Sequence, residues 1–121
     1  MNYGRKITGG RYHKRRKKKF HAKQTQERKT VLGETKRKNL KGRGGNTKTV
    51  LLKADIVNIV IDKKTKKAQI KNVLETPQNR FLTRQKRLMK GTIIETSLGK
   101  AKITNRPSQE GHVNAILIKE K

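Results

Sequence analysis

Six adjacent cations, Lys14-Arg15-Arg16-Lys17-Lys18-Lys19, form the densest chemical feature of the chain. Like charges this close repel in any backbone conformation, so a stable arrangement needs anions between them. A solvated tail could carry such a run by itself. This run, however, has company. Arg5, Lys6 and Arg11 precede it, and Lys23, Arg28, Lys29, Lys36, Arg37, Lys38, Lys41 and Arg43 follow it. Tyr3, Tyr12, His13, Phe20 and His21 are interleaved with these cations, and their rings can stack on unpaired bases. Seven of the ten glycines lie between Gly4 and Gly45, where they let the backbone follow a crowded phosphate surface. The chemistry is neutralisation of a polyanion, with RNA favoured over duplex DNA.

Three smaller clusters extend the pattern. Arg43-Gly44-Gly45-Asn46 carries a single RGG unit, too little for a low-complexity segment. It predicts a tight turn that feeds a strand and projects Arg43 toward a phosphate. Lys63 and Lys64, with Lys66 and Lys67 beside them, flank an expected hairpin turn. There they suit either phosphate contact or protection of a strand edge against aggregation. Arg80, Arg84, Lys86, Arg87 and Lys90 form a further cluster, in which 80, 84 and 87 would share one face if their segment were helical. Arg106 falls in an expected loop. If about ten such cations meet phosphates, affinity should fall roughly 10³–10⁵-fold between about 50 and 200 mM salt. Those contacts position a protein without reading sequence, so specificity must come from RNA shape and a few stacked rings.

Composition excludes most other chemistries. The 121 residues hold 34 Lys and Arg against 8 Asp and Glu, for a net charge of +26. Cys is absent, which removes disulfide scaffolds, Cys-based zinc sites and thiol nucleophiles. The carboxylates are scattered without a dyad spacing. His13 and His21 lie among cations that repel a metal, and His112 is isolated. No phosphate-binding loop or dinucleotide fingerprint occurs. The reading is therefore a non-enzyme without cofactor, metal or small-molecule substrate. No apolar run approaches the roughly 18 residues of a membrane span, and residues 1–10 have no hydrophobic signal region. A polybasic membrane-surface binder would want an amphipathic helix or a lipidation signal, and neither is present. A chromatin-type architectural DNA binder shares the charge and stays open as the alternative. The expected location is the cytoplasm.

The elements that must hold these side chains divide the chain in two. Residues 1–47 contain 17 basic residues, 2 acidic ones and only nine apolar ones. Ordering a residue costs roughly 1–2 kcal/mol, and a buried large apolar side chain returns about 1.5–3 kcal/mol. Nine such residues cannot order 47, so this extension is expected to be disordered when free. Residues 48–121 contain 27 apolar residues, 14 of them Val or Ile, the types that fit a pleated sheet. Strands are expected at 49–52, at 57–61 by alternation of Val57, Ile59 and Ile61, at 67–74, in a hairpin of 92–96 with 100–104, and at 113–118. A turn is expected at 62–65 and a break at 76–79, while 81–89 fits either a helical turn or a loop. The run Ile116-Leu117-Ile118 suggests a strand covered on both faces. The fold class is mainly β: a small barrel of five or six short strands with a long basic, extended amino-terminal arm.

Four stretches of this sequence closely resemble the eukaryotic-type small-subunit ribosomal protein eight family, shared by archaea and eukaryotes. They are Gly4-Arg5-Lys6-Ile7-Thr8-Gly9-Gly10-Arg11; Arg43-Gly44-Gly45-Asn46; Asn72-Val73-Leu74-Glu75-Thr76-Pro77 with Asn79-Arg80; and Gly91-Thr92-Ile93-Ile94-Glu95-Thr96 running on through Gly99-Lys100-Ala101-Lys102-Ile103-Thr104-Asn105-Arg106-Pro107. The matches fall in order along nearly the whole chain. The resemblance implies a structural protein of the small ribosomal subunit, with its rRNA and neighbouring ribosomal proteins as partners. It implies a β-barrel with a basic extension, and it puts Arg5, Lys6, Arg11 and Arg43 against rRNA. Arg80 and Arg106 stand at family motif positions. The sizeable internal insertion of eukaryotic members is missing, so the chain resembles an archaeal member, and Lys14 to Lys19 need not be a nuclear import signal.

Overall fold

A computed structural model describes residues 4–13, 15–61 and 64–118. Eight strands follow the amino-terminal arm: β1 (Val31–Leu32), β2 (Lys36–Lys41), β3 (Thr47–Ala54), β4 (Ile56–Ile61), β5 (Lys64–Glu75), β6 (Ile93–Thr96), β7 (Gly99–Ile103) and β8 (Asn114–Leu117). One short helix, α1 (Arg80–Arg84), lies between β5 and β6. Strands β4-β5-β6-β7-β8 form a closed barrel, and β1-β3-β2 form a separate three-stranded sheet.

The barrel follows from side-chain alternation. In β4, Val57 and Ile59 turn inward and are buried, while Ile56 and Val60 turn outward. Strand β5 is long enough to serve two neighbours. Its first half pairs with β4 (Ile56↔Gln69 to Ile61↔Lys64), and its second half pairs with β6 (Ile70↔Thr96 to Glu75↔Ile93). The register slips twice along that second half, between Ile70 and Asn72 and between Val73 and Glu75. Such irregularities bend a strand, which a five-strand barrel needs in order to close. Closure itself is the parallel pairing of β4 with β8, Ile59 opposite Ala115. It leaves no free edge within the barrel. The interior alternates large and small residues: Ile59, Ile70, Val73, Ile94, Ile103 and Val113 pack with Ala68, Ala101 and Ala115. Leu51 and Ala54 of β3 and Leu88 join the same cluster.

The expected hairpin is β6–β7, with Thr96 opposite Gly99. Thr96 Oγ1 accepts from the Leu98 amide at 3.3 Å and donates to the Gly99 carbonyl at 2.7 Å, closing the turn with one hydroxyl. Gly99 has φ +119, a conformation L side chains avoid.

Several expectations change. The strand expected at 49–52 is β3, and it belongs to the three-stranded sheet rather than the barrel. Pairing of β1 and β2 with β3 therefore crosses the expected boundary between residues 47 and 48. Of the turn expected at 62–65, residues 62 and 63 lie outside the described residues, and Lys64 already opens β5. The ambiguous 81–89 segment is one helical turn followed by irregular chain. Nor is β8 covered on both faces: Ala115 is buried, but Ile116 is 52% exposed. Consecutive apolar residues do not identify a doubly covered strand when a small barrel leaves its outer face to solvent.

Candidate nucleic-acid interface

The arm carries its cations without a core beneath them. Every described residue from 4 to 27 is exposed. Its internal order is local: the Lys6 amide donates to the Gly10 carbonyl at 2.8 Å, the Gly9 amide to the Lys6 carbonyl at 2.9 Å, and Arg5 bridges Arg11. Residues Phe20–Ala22 make a single 3-10 turn. Lys6 Nζ lies 5.7 Å from the centre of the Tyr12 ring, near the outer limit of a cation–π contact. Phe20 is 93% exposed, a position that gains nothing from burial in this chain and leaves the ring open to stacking. His13, Arg15, Arg16, Lys17, Lys18, Lys19, Lys23 and Lys29 are exposed as well, and Arg28 is half-buried. Tyr3 and Lys14 lie outside the described residues. Among the described residues, no cation from Arg5 to Lys23 pairs with a carboxylate.

A second cationic group sits on the β2–β3 hairpin. Lys36, Lys38, Lys41 and Arg43 are exposed there. Lys36 stands opposite Lys53 in the register, a like-charge pair that costs stability unless an anion lies nearby. Arg43–Gly45 forms the expected tight turn feeding β3. Gly44 and Gly45 adopt φ +68 and +76, and Asn46 Nδ2 donates to the Arg43 carbonyl at 3.2 Å. Arg37 is tied down: its Nε donates to the Gly111 carbonyl at 2.8 Å. It joins the three-stranded sheet to the loop before β8, and a Cβ on Gly111 would meet Thr49 Cγ2 at 2.9 Å.

The barrel side offers Lys64, Arg80, Arg84 and Arg106, all exposed; Lys63 is outside the described residues. Asn79 caps α1, its Oδ1 accepting from the Phe81 amide at 2.9 Å, and the helix turns Arg80 and Arg84 to one side. Arg87 is different. The helix ends at Arg84, Lys86 takes φ +51, and Arg87 turns inward to bridge Val31 of β1. Its side chain is 5% exposed and its Nη2 lies 3.1 Å from Glu27 Oε1. The condition for a shared face is met by 80 and 84 alone, because the helix is too short to carry position 87 onto it. A guanidinium so deeply buried needs a counter-charge, and the arm supplies it.

Two organising residues escaped the sequence reading. Asn105 clamps the loop carrying Arg106: its Nδ2 donates to Glu110 Oε2 at 2.8 Å and to the His112 carbonyl at 2.9 Å, and its Oδ1 accepts from the Asn114 amide at 3.0 Å. Glu27 anchors the arm root. Its only sequence signal was isolation, as one of two carboxylates in the first 47 residues. No group of three His, Asp or Glu side chains placed to hold a metal occurs among the described residues.

Comparison with known proteins converges on one family. The family model "Ribosomal protein S8e" matches residues 1–118. A small ribosomal subunit protein eS8 from Sulfurisphaera tokodaii is 44% identical over 119 residues, covering 96% of this chain and 93% of that protein. Its counterpart from Methanosarcina barkeri is 43% identical over 116 residues, covering 94% and 93%. The counterpart from Methanocorpusculum labreanum is 44% identical over 117 residues, with coverage of 94% and 93%. A match of this length, on a barrel preceded by an exposed cationic arm, makes the chain a member of the ribosomal protein S8e family.

Proposed function

We propose that the chain is a non-enzymatic structural constituent of the small ribosomal subunit in the cytoplasm, where it binds and stabilises small-subunit rRNA beside neighbouring ribosomal proteins. The observation that carries this reading is the arm: among its described residues from Arg5 to Lys23 the cations are exposed, unpaired with carboxylates and interleaved with open rings. Neutralisation is the mechanism. Arg5, Lys6, Arg11, Arg15, Arg16, Lys17, Lys18 and Lys19 let phosphate-lined helices approach one another, and releasing their counterions supplies the affinity. The β2–β3 hairpin, with Lys36, Lys38, Lys41 and Arg43, forms a second contact, and Arg80, Arg84 and Arg106 form a third. The arm orders as it binds, so its folding belongs to subunit assembly.

Deleting residues 1–26 tests the reading, since this cut spares Glu27, Thr30, β1 and β2. The shortened protein should keep its β circular-dichroism spectrum yet lose stable binding to a folded small-subunit rRNA fragment at about 200 mM salt. Retained tight binding would remove the arm as the main anchor. Equal competition by random duplex DNA at matched phosphate would favour the chromatin-type alternative instead.

A further inference from the structure

A cavity of about 180 Å³ opens where the arm meets the barrel. Three segments converge on it: Glu27 and Arg28 from the arm root, Arg87 and Lys90 from the chain after α1, and Arg106 from the clamped loop. Four basic residues and one acidic residue thus line it. Arg87 is under-used there. Glu27 takes its Nη2, while its buried Nε has no hydrogen-bond partner. Leaving such a donor unmet is costly, and the surrounding backbone holds Arg87 in place all the same. The Leu88 amide donates to the Thr30 carbonyl at 2.9 Å, and Thr30 Oγ1 donates to the Leu51 carbonyl at 2.9 Å. The volume falls below the roughly 300–1,000 Å³ of pockets that enclose drug-sized ligands. It suits a single oxyanion.

We propose that this cavity is a seat for one phosphate group of RNA, and that Glu27 is its internal stand-in, displaced when the phosphate enters. Glu27 is well placed to leave, because its side chain is 69% exposed and swings into water without losing burial. A phosphate brings more charge and more acceptor oxygens than one carboxylate, and Arg binds it in a forked geometry. The exchange transfers the arm root from the barrel's own ion pair to the RNA backbone, so that Arg28 and Arg106 grip one phosphate from opposite segments. It makes docking of the arm responsive to RNA. The inference rests on the rRNA-binding reading and adds a switch to it.

The test uses the full chain and inorganic phosphate, titrated calorimetrically against chloride at matched ionic strength. Glu27→Gln should bind phosphate about tenfold more tightly than the natural protein, and the double variant Arg28→Gln/Arg106→Gln about tenfold more weakly. Lys71→Gln/Lys102→Gln, which removes the same charge elsewhere on the surface, should leave the affinity unchanged. Should Glu27→Gln fold poorly without phosphate, phosphate should restore its circular-dichroism spectrum, and failure to do so overturns the proposal. Equal affinity in all four proteins, or weaker binding by Glu27→Gln, also overturns it. A short oligouridylate must compete phosphate off the natural protein; if it does not, the seat belongs to free phosphate and the RNA assignment falls. Normal binding of the rRNA fragment by all four proteins would sink the seat while leaving the rRNA reading intact.

Discussion

The arm and the barrel of this chain solve opposite problems. In β4, Val57 and Ile59 are 1% and 0% exposed. In the arm, Ile7 and Phe20 are 108% and 93% exposed. One region removes its apolar side chains from water and so can hold a fixed shape by itself. The other leaves its few apolar side chains in water and surrounds them with charge. The three-stranded sheet lies between these extremes. It lends Leu51 and Ala54 of β3 to the barrel's core while exposing Lys36, Lys38 and Lys41 on β2. The lesson is that apolar burial and exposed charge are separated along the chain, with the Glu27–Arg87 ion pair at the seam.

This contrast can be broken at several points. The largest effect should come from removing residues 1–26, which should lower rRNA affinity by roughly 10³-fold or more at about 200 mM salt. The same deletion should shift the barrel's melting temperature little; a collapsed barrel would mean the two regions are not separable. Next comes Ile59→Ala, which empties the centre of β4 and should cost about 2–5 kcal/mol of stability in urea titrations. At low salt its arm should still associate with rRNA, whereas complete loss would show that the arm depends on a folded barrel. Asn79→Ala removes the cap of α1 and should cost about 1 kcal/mol; a null effect would mean that packing alone positions Arg80 and Arg84. The smallest change is expected for Ile116→Thr, within about 0.5 kcal/mol, because the side chain already faces solvent. A large loss would reinstate the doubly covered strand.

What could be seen from sequence follows the strength of each local signal. Alternation in Ile56-Val57-Asn58-Ile59-Val60-Ile61 marked β4 because the pleat imposes a period of two on any half-buried strand. The β6–β7 hairpin showed because Gly99 sits at a turn between two β-branched runs. Strands β1 and β2 left no such mark. Lys36-Arg37-Lys38-Asn39-Leu40-Lys41 has one apolar residue, and its pairing with β3 depends on partners distant in sequence. The candidate interface was legible as charge, since repulsion among neighbouring cations needs no fold to be recognised. The inward turn of Arg87 was not legible, because sequence left 81–89 open between helical turn and loop, and the helix stops at Arg84 before Lys86 takes positive φ. Burial of a cation depends on a carboxylate sixty residues away, and no local pattern reports that.

Amide hydrogen exchange on the full chain, with and without a folded small-subunit rRNA fragment, bears most directly on the separation of arm from barrel. Residues 4–13 and 15–26 should exchange at unprotected rates in nucleotide-free protein and become protected on binding, while β4 to β8 stay protected in both states. An arm already protected in the free protein, or one still unprotected when rRNA is bound, would contradict the account.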